Sequence, residues 1–205
     1  MQHSMVLVEE KSMIIIVGGE DENGNVLDSC EIMNIKENSW KVFSSLNNKG
    51  KNLGLCKFTK ENRRSGEKFI YIYAFNNNII ERINVNSLKI DTKWEILKVK
   101  SMVPLNTSCA SVQFDDNLIL LFGGANEQNM LTQDIVFYNQ TFGIIEKAQT
   151  TSLSMSDKFV GGSMTQYVIN RLECKIFFSS DKIVHEIEYG SKAGEAMFKS
   201  RVILY

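Results

Sequence analysis

An all-β chain of four repeated, four-stranded units is the fold class that this sequence predicts. Three observations lead there. Val-, Ile-, Phe- and Tyr-rich runs, broken by Asn, Asp, Gly and Ser, recur from end to end with no long helical period between them. Residues 3–19, HSMVLVEEKSMIIIVGG, align without a gap on residues 108–124, SCASVQFDDNLILLFGG. The distance from the second glycine to the next bulky, strand-opening residue is 21 positions in both copies, Gly19 to Trp40 and Gly124 to Ile145.

The 205 residues suffice for one large domain or two small ones. A hydrophobic content of 43% and a charged content of 23% are ordinary for a globular chain. A formal net charge of -1 argues against a dedicated nucleic-acid surface, which shows as a strong basic excess. The apolar runs, such as residues 13–17 and 118–122, are too short to cross a bilayer as a helix. The opening MQHSMVLVEEKS lacks the charged-then-apolar order of a signal peptide, so the expected location is cytoplasmic, with no membrane partner. Cys30, Cys56, Cys109 and Cys174 are widely spaced with no CxxC pair and are expected to be free, buried thiols.

The elements follow in order. Each aligned copy reads as a short strand, a polar turn (residues 9–11 and 115–117), an apolar strand, and a glycine pair, Gly18-Gly19 or Gly123-Gly124. Two β-prone runs around turn chemistry make a hairpin. The offset of 105 residues implies a unit of about half that length. The second unit is EKFIYIYAFNNN, residues 67–78, with Ala74-Phe75 in the glycine position. The fourth is CKIFFSSDK, residues 174–182, with Ser179-Ser180 there. From Gly19 through Phe75 and Gly124 to Ser180 the steps are 56, 49 and 56 residues. A third strand follows at 29–35, 79–85, 135–139 and 183–189, and a fourth is opened by Trp40, Trp94, Ile145 and Met197 or Phe198. Four strands in about 50 residues make a propeller blade. The blades are expected at approximately 1–46, 47–102, 103–153 and 154–205.

With these residues in view, the chain resembles the kelch-repeat family of β-propellers. That pattern is an apolar strand ending in Gly-Gly, a Tyr-Asp-like pair, and a Trp at fixed distance. Here the pair reads Met33-Asn34, Ile83-Asn84, Tyr138-Asn139 and Tyr189-Gly190. The resemblance covers nearly all of the sequence, specific in repeats one and three and degenerate in two and four. The family's Arg near the start of a blade is replaced, with Lys51 and Asn106 nearest to its place. Gly18, Gly19, Trp40, Trp94, Gly123, Gly124, Tyr138 and Tyr189 are read as structural repeat residues, and the recurring aromatic residues, with Phe122, as core.

The resemblance also implies a ring of five to seven blades, whereas four are counted here. An open array would expose apolar faces near residues 5–8 and 13–17 and near 175–178 and 183–189. Covering them is expected to require further blades upstream, a partner chain, or closure of a four-blade ring, in that order.

No catalytic constellation emerges. Glu20 and Ala125 follow the glycine pairs where a phosphate loop needs Lys-Ser or Lys-Thr and a helix. A copper-oxidase site of the kind some kelch-type propellers carry needs two His, two Tyr and a Cys. This chain has only His3 and His185, in different blades. Asp181 and His185 match part of an iron-binding pattern, but Phe177 occupies its acidic position. The polar groups of the innermost strands, Ser4, Ser108, Ser111, Gln113, Thr165 and Gln166, supply no acid-base pair. The basic stretch KFTKENRRSGEK, residues 57–68, reads as a hairpin turn. No cofactor and no metal are expected.

The functional expectation is a non-catalytic protein-interaction scaffold or assembly subunit that uses propeller loops. Its candidate partner-binding residues are Glu20, Asp21 and Glu22; Asn76 and Asn77; Asn126 and Glu127; and Asp181 and Lys182. The linkers 46–53, 102–107 and 152–159 are expected to share that face. The alternatives are a sugar-binding or enzymatic propeller of the mutarotase or oxidase kind, or the substrate-recognition part of a ubiquitin-ligase adaptor. A cytoskeletal or ciliary setting follows from family analogy alone.

Overall fold

Alternation of apolar and polar residues becomes strand throughout the computed structural model, which describes residues 2–89, 91–101, 103–126, 128, 130, 132 and 134–147, together with the backbone of residues 163–170, 173–180, 183–192 and 195–204. The fold is all-β, and no α-helix occurs among the described residues. Correspondingly, no helix there is long and apolar enough to cross a membrane.

The first sheet is β1 (Ser4–Val8), β2 (Met13–Glu20), β3 (Val26–Asn34) and β4 (Ser39–Phe43), antiparallel and in chain order. The second is β5 (Gly54–Glu61), β6 (Lys68–Asn76), β7 (Ile79–Asn84) and the two-residue β8 (Glu95–Ile96). The strand β9 (Lys100–Ser101) belongs by position to the second unit, yet it pairs in parallel with the outer strand of the third. That third sheet is β10 (Ala110–Gln113), β11 (Leu118–Phe122), β12 (Ile135–Asn139) and β13 (Ile144–Lys147), with β9 as fifth strand at its edge. The fourth is β14 (Ser163–Asn170), β15 (Glu173–Ser180), β16 (Ile183–Lys192) and β17 (Glu195–Leu204). The first strands of successive sheets adjoin one another, β1 with β5, β5 with β10 and β10 with β14.

The turn chemistry is local. Asn34, Asn84 and Asn139, the second members of the repeated residue pairs, each end a third strand and turn the side-chain oxygen onto the backbone that follows. Asn34 Oδ1 accepts from Lys36 and Glu37 N–H, Asn84 Oδ1 from Asn86, and Asn139 Oδ1 from Thr141 and Phe142. Such Asx turns substitute a side chain for a backbone turn. In the basic hairpin, Asn62 Oδ1 likewise accepts from Arg64 and Ser65 N–H, which places the turn between β5 and β6.

Apolar rows of neighbouring sheets pack face to face at two described seams. Val8, Ile15, Val17 and Cys30 of the first sheet meet Ile70, Ile72, Ile83 and Trp94 of the second. The second sheet's other face gives Cys56, Phe58, Tyr73 and Phe75 to Ile119, Leu121, Tyr138 and Ile145 of the third. Polar ties cross the same seams. Gln113 donates to Thr59 O and accepts from Thr59 N–H, at 2.8 Å each, so its amide continues the β5 ladder onto β10. Lys57 pairs with Glu9 and Glu10.

Cys30, Cys56 and Cys109 are free and buried, while the side chain of Cys174 lies outside the described residues. Burial pushes the thiols of Cys30 and Cys109 up to about 12, from 9.0, and raises Cys56 also. The folded thiols therefore hold their protons past the pH at which the unfolded ones ionise. Their contribution is complete below about pH 9 and is lost as the pH climbs towards 12. Urea midpoints should fall between about pH 8 and pH 10, and thiol reagents should label these three cysteines only as the chain unfolds.

Circular dichroism checks the class itself. The spectrum should be that of strands and turns; a third or more of helix, the ordinary globular share, would exclude this fold.

Candidate functional site

The β2–β3 and β11–β12 loops, the β6–β7 turn and the two described linkers form one cluster, held by hydrogen bonds at each of two seams. Gly19 N–H donates to Gly50 O at 2.8 Å, and Gly50 N–H donates to Leu27 O at 3.0 Å, so the first linker is stitched to both ends of the β2–β3 loop. Asn76 Nδ2 holds the same linker through Lys49 O at 3.0 Å. One sheet later, Thr107 and Ala125 exchange both backbone bonds, at 2.9 and 2.8 Å. Asn78 Oδ1 accepts from Leu105 N–H, and Asn106 Nδ2 donates to Gly123 O and Thr132 Oγ1.

The glycine pairs make this closeness possible. Gly18 and Gly19 have φ of 60° and 117°, and Gly123 and Gly124 have φ of 65° and 87°. A side chain at Gly18 would run into the Gly50 carbonyl, and one at Gly124 into that of Thr107. The linker backbone passes where a Cβ would be. The amides of Gly19 and Gly123 are spent on Gly50 O and Asp134 O, so neither pair offers a phosphate cradle.

The residues singled out in the sequence take these places. Glu20 ion-pairs with Lys51, one of the two residues nearest the missing Arg position. Asp21 accepts from the Asn25 side chain and from the N–H groups of Asn23 and Asn25; these bonds, the Asn25 amide first, hold its carboxyl below the usual range. Glu22 is exposed and makes none of these contacts. Asn76 grips the first linker, and Asn77 and Asn78 form the turn at positive φ. Asn126 Oδ1 accepts from Gln128 and Met130 N–H, which leaves the Met130 side chain exposed. Glu127, Asp181 and Lys182 lie outside the described residues. The structure thus brings the loops of the first three sheets and two of the linkers together; residues 152–159 of the remaining linker also lie outside them.

Of the expected core aromatics, Trp94, Phe122 and Tyr138 are buried, and Tyr189 has no described side chain. Trp40 departs from the expectation, at 53% exposed, because it lies on the face of the first sheet opposite the one that packs on the second. His3 is exposed at the surface. Among the described residues no group of three His, Cys, Asp or Glu could hold a metal.

Glu81 is the residue that sequence reading missed. It sits in the middle of β7, only 3% exposed. Its carboxylate accepts four hydrogen bonds, from the N–H and side-chain amide of Asn47 at 2.8 and 2.8 Å and of Asn48 at 2.9 and 3.1 Å. The second sheet thereby clamps the first linker. The signal was an acid within the strand IIERIN, where Glu81 alternates with Ile79 and Ile83.

No family model matches the chain, and no curated protein matches it.

Proposed function

We propose that the chain is a non-catalytic, kelch-type propeller module that binds a protein partner through its cluster of loops and linkers. One observation carries the reading. The backbones of these loops are fixed by hydrogen bonds to the linkers at both described seams, while residues such as Glu22 and Met130 project from them exposed. A rigid frame with free side chains is what a recognition surface needs, because little entropy is lost when a partner docks. The blade reading is supported by the adjoining first strands and by the glycine pairs at equivalent strand ends.

The test is comparative capture from the cells that make the protein. The wild type is set beside the double variant Glu22→Lys, Met130→Asp, with melting temperature as control. A partner retained by the wild type and lost by an equally stable variant supports the reading. The same proteins captured by both would remove the loops from recognition, and turnover of a small substrate that survives the substitutions would favour the enzymatic alternative.

A further inference from the structure

The far face of the first sheet is built like an interface. Its register gives two cross-strand rows, Met5–Ile16–Glu31–Val42 and Leu7–Ile14–Met33–Trp40. Seven of these eight residues are apolar, yet Met5 and Val42 are 65% and 75% exposed. The same rows exist in the next two sheets. Ile14 and Ile16 correspond by the repeat to Ile70 and Ile72, and to Ile119 and Leu121. Trp40 corresponds to Trp94 and Ile145. In the second and third sheets these equivalents are buried against the sheet before them. The first sheet carries the same surface with Met5, Leu7, Trp40 and Val42 left 65%, 45%, 53% and 75% exposed.

The repeat also says what fits there. Rows equivalent to those that the first sheet turns toward the second should cover it. The fourth sheet holds such rows by its register, Met164–Phe178–His185–Val202 and Val168–Cys174–Tyr189–Phe198, with Gln166–Ile176–Ile187–Ser200 between them. Its charged residues Lys175, Glu186, Glu188, Lys199 and Arg201 fall in the alternate rows. Within one chain this face stays open, from Met5 and Leu7 on the first strand to Trp40 and Val42 on the last.

We propose that a second copy of this chain covers it, the fourth sheet of each copy packing on the far face of the first sheet of the other. Two such contacts related by a twofold axis close a dimer. Charge favours this arrangement over self-pairing of the first sheet. Self-pairing would take two Glu31 carboxylates out of water against rows that hold no cation. The apolar rows of the fourth sheet hold no acid and one histidine.

Sedimentation equilibrium of the full chain, with Trp40 fluorescence as a local reporter, tests the proposal. Wild type should be dimeric at micromolar concentration, and its emission should move to shorter wavelength as concentration rises. Val42→Arg should weaken dimerisation roughly a hundredfold or more, by burying an unpaired charge. It should keep the wild-type unfolding curve of the dilute monomer, since Val42 is exposed there. Val42→Leu should remain dimeric. Amine cross-linking of an equal mixture of light and heavy-nitrogen-labelled chains identifies the contact. Links between Lys41 and Lys199 in mixed-isotope pairs support it. A monomeric wild type, a dimer indifferent to Val42→Arg, Lys41-to-Lys41 links, or Lys41-to-Lys199 links confined to single-isotope pairs would each overturn it.

Discussion

Gly124→Val should destabilise the protein by about 3–5 kcal/mol, the sum of a strained backbone and a blocked approach. Gly124 has φ of 87°, a region that a β-branched residue resists. A Cβ there would meet the Thr107 carbonyl, with Asn106 Cβ and Cys109 N close behind. All three neighbours belong to residues 106–109, just ahead of β10, so relief would require that segment to move and break the paired bonds between Thr107 and Ala125. In a chain of this length each kcal/mol lowers the melting temperature by about 2–4 °C, so a fall of about 10 °C is expected. Gly24 separates the two causes. It has a similar φ of 82°, but a side chain there meets nothing within 4 Å. Gly24→Ala should therefore show the backbone part alone, about 1 kcal/mol. Equal losses at the two sites would mean that the linker contact contributes nothing.

Glu81→Ala should be the other large loss, about 3 kcal/mol or more in a urea titration. The substitution strands four donors, two from Asn47 and two from Asn48. Asn47 is exposed and Asn48 half-buried, so water recovers part of what is lost. The carboxylate accepts two bonds at each oxygen. Glu81→Gln keeps one oxygen and turns an amide N–H2 toward the other two donors, so it should recover less than half of the loss. Full stability in Glu81→Gln would show that the shape of the side chain, rather than its acceptors, holds the linker.

How much of this was legible in the sequence depends on the range of the interaction. The strands were readable because alternation and turn residues are local: Asn34, Asn84 and Asn139 act within three residues of themselves. The glycine pairs were readable because their spacing repeats. The linker bonds were not, since Glu81 and Asn47 are 34 positions apart and nothing in either neighbourhood names the other. Trp40 marks the same boundary. Its repeat position correctly identifies an apolar face, but whether a sheet lies against that face is a property of the array. The parallel pairing of β9 was hidden for another reason, as two residues, Lys100 and Ser101, carry no periodicity to read.

The clamp at Glu81 has a consequence for the order in which the chain is made. The linker through Asn47 and Asn48 leaves the ribosome well before the strand that fixes it, and Trp94, which closes over Ser44 O and Phe43, comes later still. A nascent chain that has completed only its first sheet therefore carries an unfastened linker and open apolar faces. Each sheet is completed by the one synthesised after it, and every pause between them is a moment when a chaperone or a stray strand has something to hold.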